Sequence, residues 1–307
     1  NFISPSYVSE TQSDIVTDEL MRLRETGNSV SFSAIPKKVD IDGDGYNESL
    51  TTEEYVRYGQ TRGQALADII ESLVNSKAYA KLRDDQKAKV IEKAEEQANA
   101  LARYELRTGR GIDVKEINEK NATEMVFGIA WNDLQDSKGQ DSESFKALLS
   151  VYNRMTEKQK DNIAEAIGSR STLEKMYNLA KADTRGTLFT EYYKYKDRMN
   201  IEDKERASKE RINVRADVVK RYSGKQQEAM YKALFTDTYY EKYVKYGQKA
   251  NVPPKAFFEI MDMKYGGNAK KEDVLKKMRS YNLSYAQRKA IYLACGYSEK
   301  TLSDIQW

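Results

Sequence analysis

The sequence predicts a mainly α-helical protein, a multi-helical array of helical hairpins with one small β-hairpin near the N-terminus. Only four prolines occur in 307 residues, so long stretches of the backbone are free to be helical. Charged residues make up 32% of the chain and hydrophobic residues 39%, a balance that suits helices with one buried face. Apolar residues recur at helical spacing in most segments and alternate only between residues 28 and 50.

The N-terminal region carries that one departure from helical patterning. We expect a first helix over 11–26, because its apolar side chains share one side and a glycine follows as a stop signal. Val30-Ser31-Phe32 then alternates, and Lys38-Val-Asp-Ile41 runs into the turn signal Asp42-Gly43-Asp44-Gly45. Residues 28–50 therefore predict the β-hairpin.

The rest of the chain is divided by helix caps and breaks. Thr51 and Glu54 form a capping-box signature that opens a helix, and a second long helix is expected over 86–107. Further helices are expected at 121–136, 142–155, 157–168, 171–182, 186–222, 225–236, 238–248, 254–264, 271–281 and 285–295. Breaks near 109–111 and 253–254 predict four parts: an N-terminal helix and hairpin over 1–50, a helical hairpin over 51–110, a central helical part over 111–250 and a C-terminal helical part over 251–307.

A short phrase recurs four times, each time as a glutamine followed by apolar residues at helical spacing. Its copies begin at Gln86, Gln159, Gln226 and Gln287. Capped amphipathic helices can converge on such a phrase. Duplicated helical hairpins that stack along the chain would also produce it. Both interpretations stay open at the level of sequence.

The composition removes most ordinary catalytic chemistry. The chain has no histidine, the side chain with the unperturbed pKa nearest neutrality, so Ser-His-Asp, Cys-His and histidine-ligated zinc arrangements are excluded. No glycine-rich phosphate loop or catalytic carboxylate pair stands out. The single cysteine, Cys295, lies in the apolar segment 290–295, which predicts a buried thiol. We therefore expect that the chain is not an enzyme, and no apolar run is long enough to predict a membrane span.

The sharpest motif is an acidic loop over residues 40–48. Its carboxylates stand at positions 1, 3, 5 and 9 of a calcium loop, with a glycine at position 6 and a backbone carbonyl at position 7. The candidate Ca²⁺ ligands, in chain order, are Asp40, Asp42, Asp44, Tyr46 and Glu48. Position 12 is Thr51 where a helix-loop-helix calcium site needs a bidentate glutamate. A calcium site and a metal-free acidic β-turn therefore both stay open.

Two tyrosine clusters, at 192–195 and 239–246, lie among lysines. Aromatic rings interleaved with bases can stack on single-stranded nucleic acid, whereas tyrosines of helical proteins more often cover the seams between helices. The net charge is only +3, with 51 basic and 48 acidic residues, which gives no concentrated basic footprint. We therefore expect protein–protein contacts, with a nucleic-acid-contacting packaging protein and a calcium-stabilised binding module as alternatives.

Two segments combine helix-capping motifs in an order that resembles a known protein family. The first runs from Leu50-Thr-Thr-Glu-Glu-Tyr55 through Asn75-Ser76-Lys-Ala-Tyr79 to Ala98, and the second from Asp273-Val-Leu-Lys-Lys to the terminal Trp307. Together they resemble the C-terminal regions of large polyvalent proteins of phages and mobile elements, a family also described as internal virion, ejection or minor structural proteins. The resemblance covers about a third of the chain, and its motifs are not catalytic.

The resemblance implies a structural or ejected virion protein without enzymatic activity of its own. Such a protein would contact other virion proteins at the portal, at the tail or in the capsid interior, and would be delivered to or made in the cytoplasm of a bacterial host. We expect it to form a homo-oligomeric or otherwise symmetric assembly, because virion components are built on symmetry.

Overall fold

The computed structural model describes residues 13–110 and 114–307, with side chains for 14–110 and 122–307. This part of the chain forms fourteen α-helices and one two-stranded antiparallel sheet, which confirms the predicted mainly α-helical fold with a small β-hairpin. The chain divides into two compact units between Leu173 and Glu174. The predicted division into four parts has no boundary at this position and stays a prediction. Among the described helices, none is long and apolar enough to cross a membrane.

The first unit begins with one helix and the hairpin and continues as an array of helices. Its elements are α1 (Ser13–Glu25), β1 (Lys38–Val39), β2 (Glu48–Ser49), α2 (Thr52–Val74), a 3₁₀ turn (Tyr79–Lys81), α3 (Asp84–Thr108), α4 (Val114–Asp136), α5 (Ser142–Tyr152) and α6 (Glu157–Ile167). Helix α7 (Arg170–Ala182) spans the division between the units.

The core of the first unit is an antiparallel pair of long helices, α2 and α3. Leu66, Ile70 and Leu73 of α2 are buried, and α3 buries Ala94 and Ala98 among other small residues. Alanines on one face of a helix let a neighbouring backbone approach closely while the larger side chains of the partner fill the space. Helix α4 also contacts both helices of this pair.

The hairpin is anchored on that helical pair by a small apolar cluster. Val39 of β1 packs with Tyr58 of α2 and Ala102 of α3, all of them buried. Partly buried apolar side chains surround the cluster: Ile35, Ile41, Leu50 and Leu106. Burial of the side chain that directly precedes the acidic loop therefore holds the loop against α2 and α3.

The second unit consists of short helices around an aromatic core. Its elements are α8 (Thr187–Met199), α9 (Lys204–Arg221), α10 (Gly224–Leu234), α11 (Tyr239–Lys242), a π-helical turn (Tyr243–Gly247), α12 (Pro254–Met261), a second π-helical turn (Asp262–Gly266), α13 (Lys271–Ser280), α14 (Tyr285–Ala294) and a 3₁₀ helix (Glu299–Asp304). The ring of Tyr231 stacks on Tyr240 and Phe258 at centroid distances of 5.1 and 5.6 Å.

One buried ion pair lies beside this aromatic core. Arg215 of α9 contacts Asp237 at 2.9 Å, and the Tyr231 hydroxyl donates to the same carboxylate, also at 2.9 Å. The guanidinium also lies 4.4 Å from the centroid of the Phe235 ring. The buried guanidinium therefore has a carboxylate partner, as burial of an ionised group requires.

The chain end folds back on α14. The ring of Trp307 lies 6.1 Å from Tyr292 and 6.4 Å from Tyr285, edge to face with both. The guanidinium of Arg279 donates to the Gln306 carbonyl at 3.0 Å. Nearby, Cys295 is only 2% exposed, which confirms the predicted buried thiol. Burial raises the pKa of that thiol to about 12, so it is protonated at neutral pH.

The structure corrects the single helix predicted over 186–222. Helix α8 ends at Met199 and α9 begins at Lys204, so the segment is two helices. The Asp203 side chain accepts a hydrogen bond from the backbone N–H of Arg206 at 2.8 Å, which makes it the N-cap of α9. An N-cap residue within a charged segment starts the second helix here, and no proline or glycine marks the break in the sequence.

The hairpin is also shorter than its alternating pattern predicts. Only β1 and β2 pair, whereas Val30 and Phe32 are buried without forming a strand. The backbone N–H groups of Ser31 and Ser33 instead donate to the carboxylates of Glu92 and Glu95 on α3, at 3.2 and 2.9 Å. Side chains of a helix thus satisfy the donors that a neighbouring strand would have satisfied.

The recurring glutamine phrase has a local physical basis in three of its four copies. Gln86, Gln159 and Gln287 are each the third residue of a helix, and each side-chain oxygen accepts from the backbone N–H of the N-cap residue at 2.9–3.0 Å. Gln226 instead donates to the Ala182 carbonyl at 3.4 Å. Capping chemistry therefore accounts for three of the copies without a duplication, and the origin of the fourth stays open.

Candidate metal centre

The acidic loop connects the two strands of the hairpin and brings its carboxylates together. In the antiparallel register Val39 lies opposite Glu48, so the first and last acids of the loop are neighbours. One carboxylate oxygen from each of four residues lies within 4.8 Å of the others: Asp40, Asp42, Asp44 and Glu48. In the described part of the chain this is the only group of three or more acidic or thiol side chains with such spacing.

The backbone wraps around these carboxylates through short hydrogen bonds. Asp40 accepts from the N–H groups of Gly43 and Gly45 at 2.7 and 2.9 Å. Asp44 accepts from the Tyr46 N–H at 2.8 Å. Gly43 and Gly45 have φ angles of +84° and +90°, a region that favours glycine, and this explains why glycines alternate with aspartates here.

The electrostatics of the loop keep Asp40 ionised. Desolvation raises the pKa of its carboxyl, but the N–H donors of Gly45 and Gly43 outweigh that effect and hold the pKa below its usual value. The carboxyl is therefore charged at neutral pH, beside three further carboxylates. A bound cation would relieve the mutual repulsion of such closely spaced like charges.

The donor set determines which cation suits the loop. Its side-chain donors are carboxylate oxygens, without nitrogen or sulfur, and hard cations such as Ca²⁺ prefer oxygen ligands. Thr51, at position 12, is committed to the capping box of α2, where it exchanges hydrogen bonds with Glu54 at 3.0 and 3.1 Å. The missing bidentate glutamate is therefore not replaced by this residue, and the carbonyl ligand predicted at Tyr46 stays a prediction.

A cavity of about 560 Å³ adjoins the loop on the side that faces α3. The hairpin and its acidic loop, with Lys38, Asp40 and Gly43 among them, form one wall, and residues from α2 and α3 form the other. The sequence does not predict this cavity, because its walls are far apart in the chain. The one local signal is the four-residue spacing of Asn99, Arg103 and Arg107, which places them on the same face of α3.

The tyrosine clusters do not form an exposed stacking surface. Six of their seven rings are buried, namely Tyr192, Tyr193, Tyr195, Tyr239, Tyr240 and Tyr243. Tyr246 is half-buried, with the Lys245 ammonium 5.1 Å from its ring centroid. These tyrosines therefore pack between helices, as tyrosines of helical proteins more often do, and are not free to stack on nucleic acid.

Protein-family models, curated proteins and solved structures all give no match to the chain.

Proposed function

We propose that this chain is a non-enzymatic structural protein that acts through protein–protein contacts, and that its acidic loop binds Ca²⁺. The convergence of four carboxylates within 4.8 Å of one another supports the calcium proposal. The buried attachment of Val39 to α2 and α3 links the loop to the core of its unit. A bound cation would therefore stabilise the helical array as well as the loop.

Calcium titration of the purified protein by isothermal calorimetry tests the metal site. We expect a dissociation constant of ~10⁻⁴–10⁻³ M, because a loop without the bidentate ligand at position 12 has less charge and less rigidity than a sensor loop. Binding tighter than about 10⁻⁶ M, or a preference for a transition metal over Ca²⁺, would contradict the proposal.

The resemblance to internal virion and minor structural proteins of phages favours a place in a virion for this structural role. The burial of the tyrosine rings supports protein contacts over nucleic-acid contacts. Mass spectrometry of virions purified from the phage or mobile element that encodes the chain tests this. We expect peptides of the chain in intact virions, in a copy number that matches the symmetry of the portal, tail or capsid. Peptides found only in the host lysate would contradict it.

The absence of histidine and of a nucleophile–base pair in the sequence supports the non-enzymatic part of the proposal. A broad screen of hydrolase and transferase substrates tests it, and we expect no turnover by the purified chain. Turnover that survives purification and is removed by one point substitution would overturn it.

A further inference from the structure

The cavity beside the acidic loop has a positively charged lining. Lys38 of β1 and Arg103 and Arg107 of α3 contribute three cationic side chains. Asp40 is the single carboxylate among the described lining residues. Three positive charges and one negative charge leave the lining with a net charge of +2.

These three cations lack carboxylate partners in the described part of the chain. Arg103 interacts with the Tyr58 hydroxyl, and the Arg107 guanidinium lies 5.5 Å from the centroid of the Tyr104 ring. By contrast, Arg57 of α2 does have a carboxylate partner and forms an ion pair with Glu105 at 2.8 Å. No such ion pair is present for Lys38, Arg103 or Arg107 within residues 14–110 and 122–307.

A buried hydrogen-bond acceptor lies in the same lining. The side-chain oxygen of Asn99 is buried and finds no hydrogen-bond partner among the described residues. A buried polar atom without a partner is costly, and a ligand that supplies a donor would remove that cost. Asn99, Arg103 and Arg107 lie on one face of α3, so the acceptor and the two guanidinium groups border the same space.

We propose that this cavity binds a small phosphate monoester that also carries hydroxyl groups, of the chemical class of sugar phosphates. A phosphate monoester has a charge of about −1.5 to −2 at neutral pH, which matches the lining. Guanidinium groups bind phosphate oxygens through paired hydrogen bonds. A hydroxyl of the ligand donates to Asn99, and a volume of about 560 Å³ lies within the range of small-molecule sites. A monocarboxylate would leave a positive charge unmatched. The proposal does not require calcium in the acidic loop, although Asp40 borders both the loop and the cavity.

Calorimetric titration of the full chain with ribose 5-phosphate, ribose and inorganic phosphate tests the proposal, with a calcium chelator present throughout. We expect ribose 5-phosphate to bind more tightly than inorganic phosphate and ribose not to bind. The double variant Lys38→Gln, Arg107→Gln removes two exposed lining cations and should weaken binding of ribose 5-phosphate at least tenfold, because both charged donors to the phosphate are lost.

A matched double variant controls for net charge. Lys37→Gln, Arg110→Gln removes two exposed cations within three residues of the first pair in sequence but outside the lining, and it should change the affinity by less than about twofold. Asn99→Leu should weaken binding of ribose 5-phosphate while leaving binding of inorganic phosphate unchanged. Thermal melts of all variants establish that they are folded.

Three results would overturn the proposal. The first is that the folded wild-type chain does not bind ribose 5-phosphate. The second is an equal loss of affinity in the two double variants, which would indicate nonspecific attraction by net charge. The third is tighter binding of a short single-stranded oligonucleotide, abolished by Lys38→Gln, Arg107→Gln, which would assign the cavity to a polymer backbone.

Discussion

Each aspartate of the acidic loop combines two roles at the scale of single residues. Its carboxylate accepts a backbone N–H that shapes the turn, and it also faces the other acids. An ionised carboxylate can accept about four hydrogen bonds or contacts, so one N–H donor does not exhaust it. The residues that fold the loop can therefore also hold a cation, which is why the sequence pattern alone fits both a turn and a metal site.

Asp42→Asn separates these two roles. In the wild-type loop the Asp42 carboxylate accepts a hydrogen bond from the Asp44 N–H at 3.1 Å. The amide oxygen of asparagine can still accept this hydrogen bond, but the negative charge is lost. We expect Ca²⁺ affinity to fall about tenfold in calorimetry with little change in stability of the metal-free protein, because ligand charge tunes affinity in such loops. Asp18→Asn, an exposed position on α1 away from the loop, is the control and should bind like wild type. Unchanged affinity in Asp42→Asn would remove Asp42 from the site.

The lowered pKa of Asp40 has a consequence that acid titration measures. In the folded loop the carboxyl should titrate below its ordinary value of 3.8. Because the folded-state pKa is the lower one, the stabilisation is fully present above the unfolded pKa and is lost as pH falls through the folded pKa. Side-chain NMR titration of the metal-free protein should give a midpoint below 3.8 for Asp40. A midpoint above that value would mean that desolvation outweighs the Gly43 and Gly45 donors.

At the scale of secondary-structure elements, capping residues and apolar spacing predict most of the helices. They do not predict the features that depend on contacts between distant segments. Thr51 and Ser284 carry capping signatures, and both cap helices. Asp203 also caps a helix, but the charged sequence around it continues the helical pattern, so the break before α9 is not visible. Likewise the N–H groups of Ser31 and Ser33 bond to α3, a choice that no local pattern contains.

The same distinction holds for the two sites of the first unit. The four carboxylates follow from spacing within one short loop, so the sequence predicts them together. The cavity needs Lys38 of the hairpin to approach Arg103 and Arg107 of α3, and burial of Val39 against Ala102 produces that approach. Long-range packing of this kind leaves no regular spacing in the sequence.

The capping box of α14 gives a prediction for one element. The Ser284 side chain accepts from the Gln287 N–H at 3.2 Å, and Gln287 also donates to the Asn251 carbonyl at 2.9 Å. Ser284→Ala should lower the free energy of unfolding by about 1 kcal/mol, the usual cost of losing an N-cap. Ser303→Ala, at an exposed position in the terminal 3₁₀ helix, should have no measurable effect in the same urea denaturation experiment. Equal effects of both variants would show that the cap contributes nothing.

At the scale of the whole molecule, the two units differ in what holds them together. The first unit is built on long helices and carries the acidic loop, whereas the second is built on short helices, buried aromatic rings and the Arg215–Asp237 pair. The chain has two tryptophans, and they fall one in each unit. Trp131 of α4 stacks near Phe127, and Trp307 packs on α14. Each unit therefore has its own fluorescent reporter.

Calcium should stabilise only the unit that carries the loop. For a dissociation constant of ~10⁻⁴–10⁻³ M, about 10 mM Ca²⁺ adds roughly 1.4–2.7 kcal/mol to the free energy of unfolding of that unit. Trp307→Phe leaves Trp131 as the only tryptophan, and its melting transition should rise with Ca²⁺. Trp131→Phe leaves Trp307, and its transition should stay unchanged. Mg²⁺ at the same concentration should stabilise less, because it demands tighter octahedral geometry. Equal shifts at both reporters would show that the units unfold as one, and no shift at Trp131 would argue against calcium binding by the loop.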